Sequence, residues 1–148
     1  MSDKTESANL ILKLYDLRRE EVMRKARTWY IGEFNPETPE DIMNAVMNEK
    51  TSAYYRMVVT YWEMACSFVV NGAIDETMFN DANGEHLAVY AKLEPFVAEM
   101  RQTMNNPTAL QHMERVVMNI PEAREKMAKF REMIKQVAQA RAQAAKTQ

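Results

Sequence analysis

The sequence predicts an all-α fold, a compact helical bundle of about four long helices plus two or three short ones. Three observations carry this. Apolar residues recur at three- and four-residue steps along most of the chain. Three Gly and five Pro stand among 148 residues, too few for the many turns of sandwiches and barrels. No stretch alternates apolar and polar residues as a half-buried strand does. A chain of this length is expected to be one domain with a real core.

The first helix is predicted from Glu6 to Phe34, with Ser7 as its N-cap. Ile11, Tyr15, Val22, Ala26 and Trp29 share one face, and Arg18 falls inside it. Pro36 and Pro39 in "NPETPED" forbid continuation. Thr38 then reads as an N-cap, with Pro39 in the first turn and Asp41 at the third position of a short helix ending near Met47. A third helix covers Thr51 to Asn71. Its polar residues, Arg56, Thr60, Glu63, Ser67 and Asn71, step by four, three, four and four and occupy a stripe roughly 80° wide. The rest of its circumference is apolar, so this helix is expected at the centre. Asn71-Gly72 reads as a left-handed stop, and Asp75 caps a short fourth helix.

After Asn83-Gly84 comes a fifth helix with Leu87, Tyr90, Leu93, Val97, Met100 and Met104 on one side. Pro95 either kinks it or restarts it. Asn106-Pro107 opens the sixth helix, which buries Leu110, Met113, Val117 and Ile120. Pro121 ends it and starts the seventh, where Ala123, Met127, Phe130, Ile134 and Val137 come close to a heptad. Residues 6–137 are thus expected to form the bundle, and the Ala/Gln-rich residues 138–148 an exposed, fraying helical tail.

Composition narrows the function. The single cysteine, Cys66, cannot form an internal disulfide. The N-terminus lacks the basic and apolar regions of a signal peptide, and no apolar run is long enough to span a membrane. A cytoplasmic location is expected. Net charge is −2 but uneven. Residues 1–32 carry seven bases and five acids, 33–99 three bases and twelve acids, and 100–148 nine bases and four acids. Acidic middle and basic ends would attract each other, within the fold or between subunits. The bases of the C-terminal third are interspersed with Glu122, Glu125 and Glu132, which fits a solvated helix face and not a nucleic-acid stripe.

Specific chemistries fail on spacing. His86 and His112 lack the Glu-x-x-His pattern of di-iron bundles, and one Cys with two scattered His makes no zinc site. The isolated glycines build no phosphate loop. No metal and no cofactor is expected. Cys66 has no base in its own turn and reads as a core cysteine. His86, at a helix start, would cap or sit exposed, and His112 is expected to be exposed. The polar stripe of the third helix has two readings. It is a solvent-facing edge, or it is a buried polar network of Arg18, Arg56 and Glu63, since a buried charge must be paired.

The segment "VVTYWEMACSFVVNGAIDETMF" resembles the aromatic-Glu, apolar turn, Gly-x-Ile-Asp-Glu segment of an uncharacterised bacterial helical group, the domain-of-unknown-function family 4760. The upstream "LYDLRREEVMRKARTWYI" is similar to that family's first helix. The likeness runs from Leu10 to Arg101. It implies the helical fold and brings no activity or catalytic residue with it. Many members of that family place a membrane-spanning helix before this domain. None is visible in this sequence, so no membrane-anchored role is expected.

The functional expectation is a non-enzymatic interaction or scaffold domain that self-associates through the sixth and seventh predicted helices. The protein partner beyond a second copy is unspecified. The alternative is a small-molecule binder with an apolar Met- and aromatic-lined pocket that includes Tyr54, Tyr61, Trp62 and Phe68. An enzyme built on Glu63 or the arginines would need a nucleophile–base pair, and the sequence shows none.

Overall fold

The computed structural model describes residues 3–147 and, among them, helices without any strand. The helices are α1 (Lys4–Arg18), α2 (Glu21–Gly32), α3 (Pro39–Met47), α4 (Ser52–Val70), α5 (Glu76–Ala82), α6 (Glu85–Leu93), α7 (Val97–Thr103), α8 (Gln111–Met118) and α9 (Ala123–Lys146). A single 3-10 turn, Glu94–Phe96, joins α6 to α7. The all-α fold read from the sequence is the observed one.

α4 is central, as its three apolar sides require. It packs against α2, α3, α5, α6 and α8. Tyr55, Val58, Tyr61, Trp62, Ala65, Cys66 and Val69 on it are buried. Its end is a Schellman closure. Gly72 takes φ +83°, its N–H donates to the Val69 carbonyl at 3.0 Å, and the Ala73 N–H donates to the Phe68 carbonyl at 2.8 Å. Thr38 and Asp41 form the capping box of α3, and Asp75 caps α5 through the Met78 N–H at 2.9 Å.

The first predicted helix is corrected: it is two helices. The chain turns at Arg19-Glu20, and the Glu20 carboxylate accepts from the Val22 and Met23 amides at 3.0 and 2.9 Å. Those two amides hold its pKa below the usual carboxylate range. The break resets the helical phase, so the single apolar face fails. Tyr15 and Val22 are exposed, while Leu14, Met23 and Tyr30 are buried with Ile11 and Ala26. Nor is Ser7 the N-cap. Asp3 caps α1 through the Glu6 N–H at 2.7 Å, and Ser7 is buried, its Oγ accepting the Asp75 N–H at 2.9 Å. That bond ties α1 to the start of α5.

Pro95 sits inside the 3-10 turn, and the α-helix resumes after it at Val97. The sixth predicted helix starts later than Asn106-Pro107. Leu110, in left-handed conformation at φ 63°, delays α8 to Gln111. α9 runs without interruption from Ala123 to Lys146, and residues 138–147 are exposed. Gln148, the last residue of the expected tail, lies outside the described residues.

Candidate functional site

The predicted buried network does not assemble. Glu63 points at the start of α8. Its Oε1 accepts the Met113 N–H at 2.9 Å, and its Oε2 accepts the His112 N–H at 3.2 Å and lies 2.7 Å from His112 Nδ1. Leu110 has no capping side chain, so the α8 amides are satisfied from α4 across the chain. His112 is accordingly half-buried, against the exposed position expected. Arg18 lies over two aromatic rings, its guanidinium carbon 5.3 Å from the Tyr15 centroid and 5.5 Å from that of Trp62. Arg56 is exposed, its Nε 3.4 Å from the Ser52 carbonyl oxygen. The stripe is therefore a mostly solvent-facing edge whose one inward member caps a neighbouring helix.

A different polar network is present, centred on Glu85. Arg27 donates from Nε at 2.9 Å to Oε2 and from Nη2 at 3.0 Å to Oε1, and the Trp62 indole N–H donates to Oε2 at 3.0 Å. The Glu85 hydrogen bond raises the Arg27 pKa. Arg27 Nη1 also reaches the Arg18 carbonyl at the α1–α2 elbow. Each ion of this pair meets two or more partners, which is what a half-buried charge needs. Next to it His86 is fully buried against Trp62 and Phe79, contrary to the capping or exposed place expected. His86 Nε2 lies 2.8 Å from the Asn80 side-chain oxygen, and Nδ1 has no partner. Nε2–H therefore donates and the ring stays neutral. Burial pushes its pKa down to about 4.

Lys92 is the second group the sequence reading missed. It is 5% exposed. Its Nζ donates to the carbonyls of Tyr30 at 2.6 Å, Ile31 at 2.9 Å and Phe34 at 2.7 Å, with the Asn35 side-chain oxygen at 3.1 Å. The ammonium closes the C-terminal end of α2, where free carbonyls and the helix dipole favour a cation. Burial opposes them and pushes its pKa down to about 7. The signal was a lone lysine inside the apolar run "LAVYAKL". Tyr30 adds a bond from its hydroxyl to the Val89 carbonyl at 2.8 Å, so α2 and α6 are joined twice.

The residues proposed to line one pocket are dispersed. Tyr61 and Trp62 are core residues, and the Tyr61 hydroxyl donates to the Leu14 carbonyl. Phe68 is exposed, and Tyr54 sits beside Trp29 on a shallow surface depression. The apolar opening lies elsewhere. A groove of about 590 Å³ runs between α3, α4, α7 and the approach to α8, walled by Ile42, Met43, Val46, Tyr55, Val59 and Met100. A second cavity, about 650 Å³, lies under α9, between Phe96, Phe130, Ile134 and Lys92.

Cys66 is buried, and burial raises its thiol well above the ordinary range, so it is not poised as a nucleophile. No group of three or more His, Cys, Asp or Glu among the described residues is arranged to hold a metal ion. Nor is any described helix long and apolar enough to cross a membrane.

The fold and the site define an all-α domain whose charged groups hold helices to one another. The chain belongs to the family described as a domain of unknown function, DUF4760, whose model matches residues 5–120. No curated protein and no solved structure matches it. α9 lies beyond the matched residues.

Proposed function

We propose that this chain is a non-enzymatic helical interaction domain that self-associates through α9. The observation that carries the reading is the far half of that helix. Among the 24 residues of α9, Ala123 and Met127 are the buried ones. Beyond Arg131 only Ile134 is even half-covered, yet the helix continues to Lys146. A lone helical stretch of about 15 residues is marginal in water. Met133 and Val137 are 51% and 40% exposed, one turn apart, and Ala140 and Ala144 extend the same strip.

The near half is firmly anchored. Arg124 Nη1 meets Glu94 Oε1 at 3.0 Å, and Arg131 Nη1 donates to the Ala91 carbonyl at 2.7 Å. α8, the other helix expected at the interface, has its apolar face inside, with Met113, Val116 and Val117 buried. That leaves α9 to meet a second copy. The groups that would suggest chemistry serve the fold: Lys92 on carbonyls, His86 and Cys66 in the core.

Sedimentation equilibrium at high micromolar concentration tests the reading. A dimer or larger species is expected, returning to monomer in Met133→Glu/Val137→Glu. A strictly monomeric parent chain rejects it. A second reading, an apolar small molecule in the α3–α4–α7 groove, is favoured by that groove's volume and lining. Thermal shifts across a panel of apolar metabolites and lipids check it, and no shift removes it.

A further inference from the structure

We infer that the cavity under α9 binds a small organic carboxylate, a molecule with an apolar ring or chain and one anionic end. The inference is independent of self-association, because Met133 and Val137 do not line this cavity. Its walls, its charge and a buried cation without a counter-ion carry the argument.

Three parts of the chain build the cavity. The turn after α2 forms one side, the end of α6 with the 3-10 turn a second, and the inner face of α9 the third. Phe96, Phe130 and Ile134 give it apolar wall, and all three are half-covered. Its volume, about 650 Å³, is that of a small-molecule site. Apolar walls with a few charged groups fix both what such a site holds and which way round it lies.

The charged lining is unbalanced. Lys92, Arg131 and Lys135 stand against a single acid, Glu37, and no ion pair joins Glu37 to any of the three among the described residues. Lys135 is exposed and likewise unpaired there. Arg131 spends Nη1 on the Ala91 carbonyl at 2.7 Å. The nearest carboxylate, Glu94, stands 4.0 Å from that nitrogen and is already held by Arg124 at 3.0 Å. Arg131 Nε and Nη2 have no hydrogen-bond partner among the described residues. A guanidinium with two donors left over suits a carboxylate, whose two oxygens match its fork.

Lys92 adds a charge that the fold does not neutralise. It is 5% exposed, and its four partners are the Tyr30, Ile31 and Phe34 carbonyls and the Asn35 side-chain oxygen. These dipoles solvate the ammonium but bring no full countercharge, and a buried charge is best served by an opposite one. An anion in the cavity supplies it without displacing any of the four. An amphipathic amine meets repulsion from the same groups, and a neutral analogue gains only the apolar contact.

Isothermal titration at low micromolar protein, with 2-naphthoate and decanoate as probes and 2-naphthol and 2-naphthylmethylamine as the neutral and cationic counterparts, tests this. Saturable binding of at least one carboxylate is expected, with 2-naphthol at least about tenfold weaker than 2-naphthoate and the amine weaker still. Ala138→Trp fills the cavity from an exposed position and should abolish binding. Arg131→Gln should weaken it about tenfold. Lys135→Glu, at an exposed position that leaves the fold intact, should weaken it roughly fivefold. Circular dichroism and thermal melting check that each variant is folded. No binding of either carboxylate up to about 1 mM overturns the inference. Equal binding of acid, alcohol and amine overturns the role of charge, and parent-like binding by Ala138→Trp overturns the place.

Discussion

Glu63 on α4 caps α8 from a distance of forty-nine residues. Its Oε2 lies 2.7 Å from His112 Nδ1, while Oε1 accepts the Met113 N–H at 2.9 Å. The carboxylate does for α8 what a local Ser or Asp does for most helices, because the backbone at Leu110 is left-handed and carries no capping side chain. Glu63→Ala should therefore cost about 1–2 kcal/mol. Urea denaturation checks this, and Glu63→Gln, which keeps one acceptor, should lose less. A change near zero would remove the capping role.

His86 gives the protein an acid-sensitive core. Its pKa in the fold is about 4 against 6.5 in the unfolded chain. Between these values the unfolded state binds more protons. Stability is thus fully present above about pH 6.5 and falls as pH drops toward 4, by up to about 3 kcal/mol. Chemical denaturation at several pH values should show this slope, and His86→Phe should flatten it. A parent chain equally stable at both ends of the window contradicts it.

Lys92 joins α6 to the end of α2. Lys92→Met leaves three carbonyls without their donor and should destabilise by about 2–3 kcal/mol, the range of hydrogen bonds from a charged group. Hydrogen exchange should localise the effect, with faster exchange in the last turn of α2. Uniform exchange across the chain would place the role elsewhere.

The Arg27–Glu85 pair also fixes Trp62. Glu85→Leu strands a half-buried guanidinium and the indole N–H together. It should cost about 3 kcal/mol and move the tryptophan emission. A double-mutant cycle with Arg27→Leu should recover part of the loss. Additive losses would show that the two do not interact.

Cys66 should react with a thiol reagent only as fast as the chain opens. Burial and the raised thiol pKa both protect it. Labelling in native buffer should track the global unfolding rate, and rapid labelling would mean an open path to the core.

Much of the fold was legible because its signals are local. Thr38 and Asp41 are three residues apart, Asp75 meets an amide three residues on, and Gly72 has the freedom of φ that a left-handed stop requires. The α4 periodicity placed that helix at the centre, where it lies. The α1–α2 break was not legible. A helical pattern tolerates interruption, and Glu20 capping its own next turn looks in sequence like one more helix-forming residue.

The site was less legible than the fold. Arg18 and Glu63 stood on apolar-rich helices, and pairing them was one of two readings, beside a solvent-facing edge. The structure gives Arg18 two aromatic rings and Glu63 a helix end, and it pairs Arg27 with Glu85 instead.

The sequence by itself determined the helical class, the central helix and the local caps, because backbone preferences and apolar spacing act over a few residues. Only the tertiary structure decided which distant group answers each polar atom. Ser7 meets Asp75, Glu63 meets the α8 amides, and Lys92 meets the end of α2. Each partner lies dozens of residues away. Its selection depends on how whole helices pack, and the requirement that every buried charge or amide find a partner names no partner in advance.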